Sequence, residues 1–319
     1  MARKNGRASH WKAIFACLGL CSLSTTALAS DVSCLASERF KGATQREADA
    51  PLIVETTTFG GIIVINQVQA DEARVAGEIA RDRARHFLGL DVPPFVIAAK
   101  NVGALQNTGG CAFVMRWVLT APENGYSKLP SSILPHEIGH QIFIQFLMPP
   151  TGEDEYGGSA PDWLDEMAAL AFEDARGIGS RRSAARMLAQ SNGLIPIDEL
   201  LLMTHPEWKP RSSDAEPRVW GVPMQPTSSQ TFAFYSTIRA LFDFLIKETG
   251  DEQVIRRLVE HIQANKSVEG WFEENLAVDH SDFSFNQVDA DLKAYVLTSA
   301  EYSNSDLYDT SSIDRNRNN

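Results

Sequence analysis

Apolar residues follow three different rhythms along this chain, and each predicts a different kind of element. Over residues 52–68 β-branched side chains predominate and Gly60-Gly61 interrupts them, which predicts a hairpin or two strands. Over 71–88 the apolar positions Val75, Ile79, Ala80, Ala84 and Phe87 recur at helical spacing, and Gly89 stands where a helix C-cap belongs. Short apolar runs at 93–99 and 112–120, the second after a Gly109-Gly110 turn, predict further strands. A segment apolar on nearly every side (Ile138, Ile142, Phe143, Phe146, Leu147) predicts a buried helix capped by Ser131 or Ser132 and stopped by Pro149-Pro150. Pro135 then falls in its first turn, where the missing N–H costs little.

The helical rhythm takes over in the second half. It predicts helices at 162–176, 181–190, 197–203, 230–248 (ended by Gly250), 251–264, 267–276 and 287–298. Residues 151–160 predict a mobile loop. The stretch 206–229, with five prolines, predicts a long loop of the kind that borders a site. Residues 301–319, rich in Ser, Asn, Asp and Arg, predict a disordered tail. The fold class is therefore α+β, a mixed sheet with helices followed by a mainly helical part. The expected division is 30–148, 149–300 and the tail.

Residues 1–29 stand outside that division. Arg3, Lys4, Arg7 and Lys12 precede an eleven-residue apolar run at 13–23, and Ala27-Leu28-Ala29 supplies small residues where a signal peptidase reads. The run is too short to span a bilayer. Export to a periplasm or beyond is expected, with cleavage after Ala29 and no membrane span afterwards. Cleavage leaves 25 basic against 41 acidic residues, a net charge of −16, which argues against nucleic acid and anionic lipid as partners. It also leaves two cysteines, Cys34 and Cys111, in an oxidising compartment, and a Cys34–Cys111 disulfide is expected.

The chemistry concentrates at His136-Glu137-Ile138-Gly139-His140. Residues i and i+4 of a helix share a face, so both imidazoles reach one cation. Glu137, one step round, faces the open side, where it can take a proton from water. Zinc chemistry needs a third protein ligand and a free position. Phe143 and Phe146 occupy the places where a metzincin would continue its motif, which excludes that class. The better candidate is Glu166 in Trp163-Leu164-Asp165-Glu166-Met167-Ala168, a carboxylate set among Trp163, Leu170 and Glu173 on one helix face. Asp165 and Glu173 are the alternatives, and a Glu166 on a polar stripe with Asp162 and Asp165 is the bland one.

Together the two motifs resemble those of the gluzincin metallopeptidases, which pair HExxH with a downstream WLxEGxA helix. The likeness is to the aminopeptidase N-type catalytic domain and to peptidase-MA-like proteins, over about residues 95–300. It implies a zincin-like fold with Zn²⁺ in the cleft on His136, His140 and Glu166, and Glu137 as general base. It further implies a substrate-pairing edge strand, here within 112–119, and a tyrosine aimed at the oxyanion. Tyr235, at the head of helix 230–248, stands in the corresponding place, with His205 a weaker candidate. The implied function is hydrolysis of peptide or protein substrates.

This chain departs from that pattern at three points. Met167 replaces the glycine after the glutamate, and 25 residues separate His140 from Glu166, more than usual. The sequence Gly109-Gly110-Cys111-Ala112-Phe113-Val114-Met115 lacks the carboxylate with which aminopeptidases hold a free amino terminus. A typical aminopeptidase is therefore not expected. The other classes compatible with these residues are a zinc hydrolase of esters or epoxides and a zinc-containing binding protein without turnover.

Overall fold

The step Thr58-Phe59 turns β1 (Ile53–Thr57) back on β2 (Gly60–Val64) as an antiparallel pair. Gly60 takes φ +138°, and a Cβ there would lie 2.1 Å from the Phe95 carbonyl oxygen, so only glycine admits this approach of strands. This computed structural model describes residues 52–99, 111–117, 133–150, 159–203, 229–276 and 283–303. The expected signal segment, Cys34, the Ser131 or Ser132 cap and His205 lie outside them. So do residues 204–228, which make up nearly all of the Pro-rich loop.

Helix α1 (Gln67–Leu88) begins at Asn66, whose side chain accepts from the Gln69 N–H, and ends at Gly89 in the left-handed region. It carries the chain across to β3 (Phe95–Ala99), parallel to β2, and β4 (Val114–Trp117) adds a further parallel strand. The sheet order is β1-β2-β3-β4, so β4 is an edge strand among the described residues. Every residue of β2 and β3 is buried, as expected for central strands covered on both faces, whereas β1 alternates.

The helices that follow are α2 (Ile133–Phe146), α3 (Asp162–Ala171), α4 (Ala175–Ser191), α5 (Ile197–Leu200) and α6 (Ser229–Thr249). They continue with α7 (Val254–Gln263), α8 (Val268–Leu276), α9 (Phe285–Thr298) and the single turn α10 (Ala300–Ser303). One hydrophobic core joins the sheet residues Ile62 and Val96 to the helical residues Trp163, Phe242 and Phe272. The described residues thus share a core and all fall within one compact unit, Val32–Asn319. Among them, no helix is long and apolar enough to cross a membrane.

Several boundaries differ from expectation: helix α1 begins at Gln67, four residues before the expected 71 and inside the stretch expected as strand, because Asn66 caps it there, and three later differences also have local reasons. The helix predicted over 162–176 stops at Ala171, because Asp174 turns extended and caps a new helix through the Gly177 N–H. Helix α4 therefore starts at 175, well before 181, and Glu173 sits in the bend, not on the helix of Glu166. The polar tail expected from 301 begins later, since Tyr302 is fully buried and its hydroxyl donates to Asp243 Oδ2 at 2.9 Å.

Cys111 is buried just before β4 and is half of a disulfide whose other half lies outside the described residues. We propose Cys34 as the partner. Non-reducing peptide mapping is expected to recover a Cys34–Cys111 cross-link. It closes a loop of about 77 residues, worth up to about 4–5 kcal/mol in the chain-entropy model. Recovery of Cys34 as a free thiol would exclude the pairing.

Candidate metal centre

Helix α2 is apolar on most sides because it is wedged between the sheet-side helix α1 and helix α3. Pro135 lies in its first turn, as expected. Gly139 is what lets α3 come close: a Cβ there would stand 3.0 Å from Ala169 Cα and 3.0 Å from the Phe172 ring. The long separation between the two motifs does not disturb this contact. The loop between them is pinned at its feet, where Ser159 Oγ donates to the Pro149 carbonyl at 3.0 Å.

The close approach brings His136, His140 and Glu166 together, all buried, with one ligand atom from each within 4.8 Å of the others. His136 Nε2 lies 3.4 Å and His140 Nε2 3.5 Å from the same oxygen, Glu166 Oε2. Donors at zinc distances of 2.0–2.1 Å in a tetrahedron are about 3.4 Å apart, so these spacings fit that ion. The bland surface reading of Glu166 does not hold, since the residue is 1% exposed.

The other ring nitrogens face carboxylates. His140 Nδ1 is 2.9 Å from Asp165 Oδ1, and His136 Nδ1 is 3.5 Å from Glu173 Oε1. Asp165 and Glu173, considered above as ligands, therefore stand behind the imidazoles, where such groups fix the ring tautomer and orientation. Arg181, from α4, reaches Glu173 Oε1 at 3.3 Å and lies over the Tyr235 ring at 4.8 Å. The sequence reading missed Arg181 because nothing in local periodicity ties position 181 to 173 or 235.

Tyr235 is buried on α6, and its hydroxyl donates to Glu166 Oε1 at 3.3 Å. That bond leaves the other oxygen, Oε2, toward the histidines. Glu137 is partly buried, next to His136 on α2.

The charges around these three residues would suit a cation. Glu166, Asp165 and Glu173 carry three negative charges and Arg181 one positive. With neutral imidazoles the remainder is −2, which a divalent cation balances. In the metal-free protein, protons take that part. Burial pushes the His136 imidazole down, but Glu166 and Glu173 outweigh it and lift it to about 9. Burial opposes charge on His140 as well, yet Asp165 and Glu166 hold it well above the ordinary value. Burial also raises the Asp165 carboxyl, while at Glu173 it is overcome by His136 and Arg181, which keep that carboxyl low.

A metal must displace those protons. At pH 7.5, below the His136 value of about 9, adding zinc to metal-free protein is expected to release protons. Apparent affinity should then rise with pH for as long as His136 and His140 are still losing protons. Titration calorimetry in buffers of different ionisation enthalpy reads this directly, and an uptake without proton release would contradict it.

Comparison of the chain with protein-family models, with curated proteins and with solved structures finds no match to any of them. The likeness to gluzincins accordingly rests on the two sequence motifs alone.

Proposed function

We propose that this protein is an exported, zinc-dependent metallopeptidase of gluzincin type that hydrolyses peptide bonds in polypeptide substrates. The observation that carries the reading is the convergence of His136 Nε2 and His140 Nε2 on Glu166 Oε2, with a carboxylate behind each ring. A zinc ion held there supplies Lewis acidity, which makes water more acidic and polarises a carbonyl. Glu137 accepts the proton from the attacking water and returns it to the leaving amine. Tyr235 holds Glu166 in place through Oε1, and its hydroxyl is near enough to the ligand set to donate to the developing oxyanion if it gives up that acceptor. As the edge strand among the described residues, β4 suits a substrate strand added to the sheet.

The test is cleavage of casein and a peptide library by purified protein. New peptide termini should appear, disappear on chelation and return with zinc. Cleavage of esters or epoxides without any peptide cleavage would refute the peptidase reading. Since the segment entering β4 carries no carboxylate for a free amino terminus, N-terminally blocked peptides are expected to be cleaved as well as unblocked ones. Strict removal of single residues from unblocked peptides would overturn that expectation.

A further inference from the structure

One side chain touches both of the groups that brace the candidate ligands from behind. Glu173 stands 3.5 Å from His136 Nδ1, and the Tyr235 hydroxyl donates to Glu166 Oε1 at 3.3 Å. Arg181 reaches each of them. Its Nε and Nη2 both donate to Glu173 Oε1 at 3.3 Å, and the same guanidinium lies over the Tyr235 ring, 4.8 Å from the centroid. The contacts form a closed circuit, His136–Glu173–Arg181–Tyr235–Glu166, which returns to His136 because Glu166 Oε2 is 3.4 Å from its Nε2.

Each brace needs such a hold. Among the described residues Glu173 Oε2 has no hydrogen-bond partner, so the carboxylate is oriented through Oε1 alone. A carboxylate held by one oxygen can turn, and two donors converging on that oxygen from one side restrict the turning. The bend leaves room for this arrangement, since a Cβ at Gly177 would stand 3.1 Å from Glu173 Cβ and 3.2 Å from its Oε2. The Tyr235 ring meets the His136 ring edge at a centroid distance of 6.3 Å, and the guanidinium adds a cation–π contact that fixes it further. A guanidinium can do both at once, because its N–H fork binds a carboxylate while its delocalised charge rests on an aromatic face. Charge by itself argues against an arginine here: a positive group beside a cation site weakens that site. What Arg181 contributes in contacts must therefore offset what it costs in repulsion.

We propose that Arg181 is a positioning residue for the metal centre. It holds Glu173 on His136 and Tyr235 on Glu166 together, and zinc affinity depends on it although it carries the same sign of charge as the ion. The inference rests on the zinc reading of the site and not on peptide cleavage.

Competitive zinc titration of the parent and its variants with a chromophoric chelator, beside melting curves of the metal-free proteins, tests this. Arg181→Gln should weaken zinc by about tenfold, within the range for groups that orient metal ligands. Arg181→Lys keeps the charge and loses the fork, so it should fall between the parent and Arg181→Gln. In a Glu173→Gln, Tyr235→Phe background both braces are already disabled, and adding Arg181→Gln should change zinc affinity by less than about twofold. Unchanged zinc binding by Arg181→Gln in the parent overturns the inference, and so does tighter binding, which charge alone would produce. A loss of equal size in both backgrounds, with a lowered melting temperature of the metal-free protein, marks a merely structural arginine and overturns it too. A parent that takes up no zinc refutes the metal centre itself, and the inference falls with it.

Discussion

Replacing Glu137 by Gln is expected to leave the protein folded and fully zinc-loaded while peptide turnover falls by about 10²–10⁴. The substitution keeps the side chain's size and removes only its ability to accept a proton. Among the described residues Glu137 has no ion pair or hydrogen bond, and it is partly buried, so no structural contact is lost with the carboxylate. It is also outside the proposed ligand set of His136, His140 and Glu166, the group placed to hold a metal ion. A fall in kcat at unchanged metal content and unchanged melting temperature therefore reports on chemistry alone. Unchanged turnover would remove Glu137 from the reaction, and a protein that binds peptides without cleaving them would show no effect of the substitution at all.

How much of this site the sequence discloses depends on how local each signal is. His136 and His140 are joined by one helical turn, so their common face follows from spacing. Glu166 lies 26 positions beyond His140 and is legible only as a carboxylate among apolar neighbours. That is a weaker clue, because the same pattern fits a helix edge. The fact that selects it is tertiary: α2 and α3 pack closely at Gly139, where a Cβ would stand 3.0 Å from Ala169 Cα, and that packing sets Glu166 beside both imidazoles. The partners of the Nδ1 atoms are harder still. Asp165 and Glu173 are both acidic and close in sequence to Glu166, so all three compete on paper for one role. Their division of labour emerges only from where each ring nitrogen points.

The fold shows the same gradient. The C-terminal end of helix α1 is placed closely because Gly89 caps it in the left-handed region, whereas its start at Gln67 is missed by four residues because the β-branched pattern over 52–68 runs past the Asn66 cap. The bend at 172–174 is missed because apolar periodicity runs through it. What breaks the helix is Asp174, whose side chain binds a backbone N–H three residues on, a competition that a periodicity reading does not weigh. The buried cluster of Arg182, Arg239, Asp243 and Tyr302 is equally invisible in sequence. Arg239 and Asp243 look like an ordinary exposed i,i+4 pair until Arg182 and Tyr302 close over them from α4 and α10.

Glu166→Ala is expected to produce the largest loss of zinc. Structural zinc sites with four protein ligands bind with about 10–16 kcal/mol at neutral pH, so one ligand is worth roughly 2.5–4 kcal/mol, or about 70- to 900-fold in affinity. Asp165→Asn and Glu173→Gln act one shell further out. They leave all three ligands in place and remove only the charge behind an imidazole, so about 10–100-fold is expected from each. The ranking is the decisive feature, because it inverts if Asp165 or Glu173 is the true third ligand and Glu166 the supporting group. Packing is controlled by Glu166→Gln, which keeps the volume and an oxygen acceptor for the Tyr235 hydroxyl while losing the carboxylate charge. If affinity depends on the carboxylate as ligand, Glu166→Gln should fall close to Glu166→Ala. If the alanine variant fails only by loosening the core around Trp163 and Leu170, the glutamine variant should bind zinc nearly as well as the parent. Competitive titration with a chromophoric chelator, run beside the melting curves of the metal-free proteins, separates these outcomes.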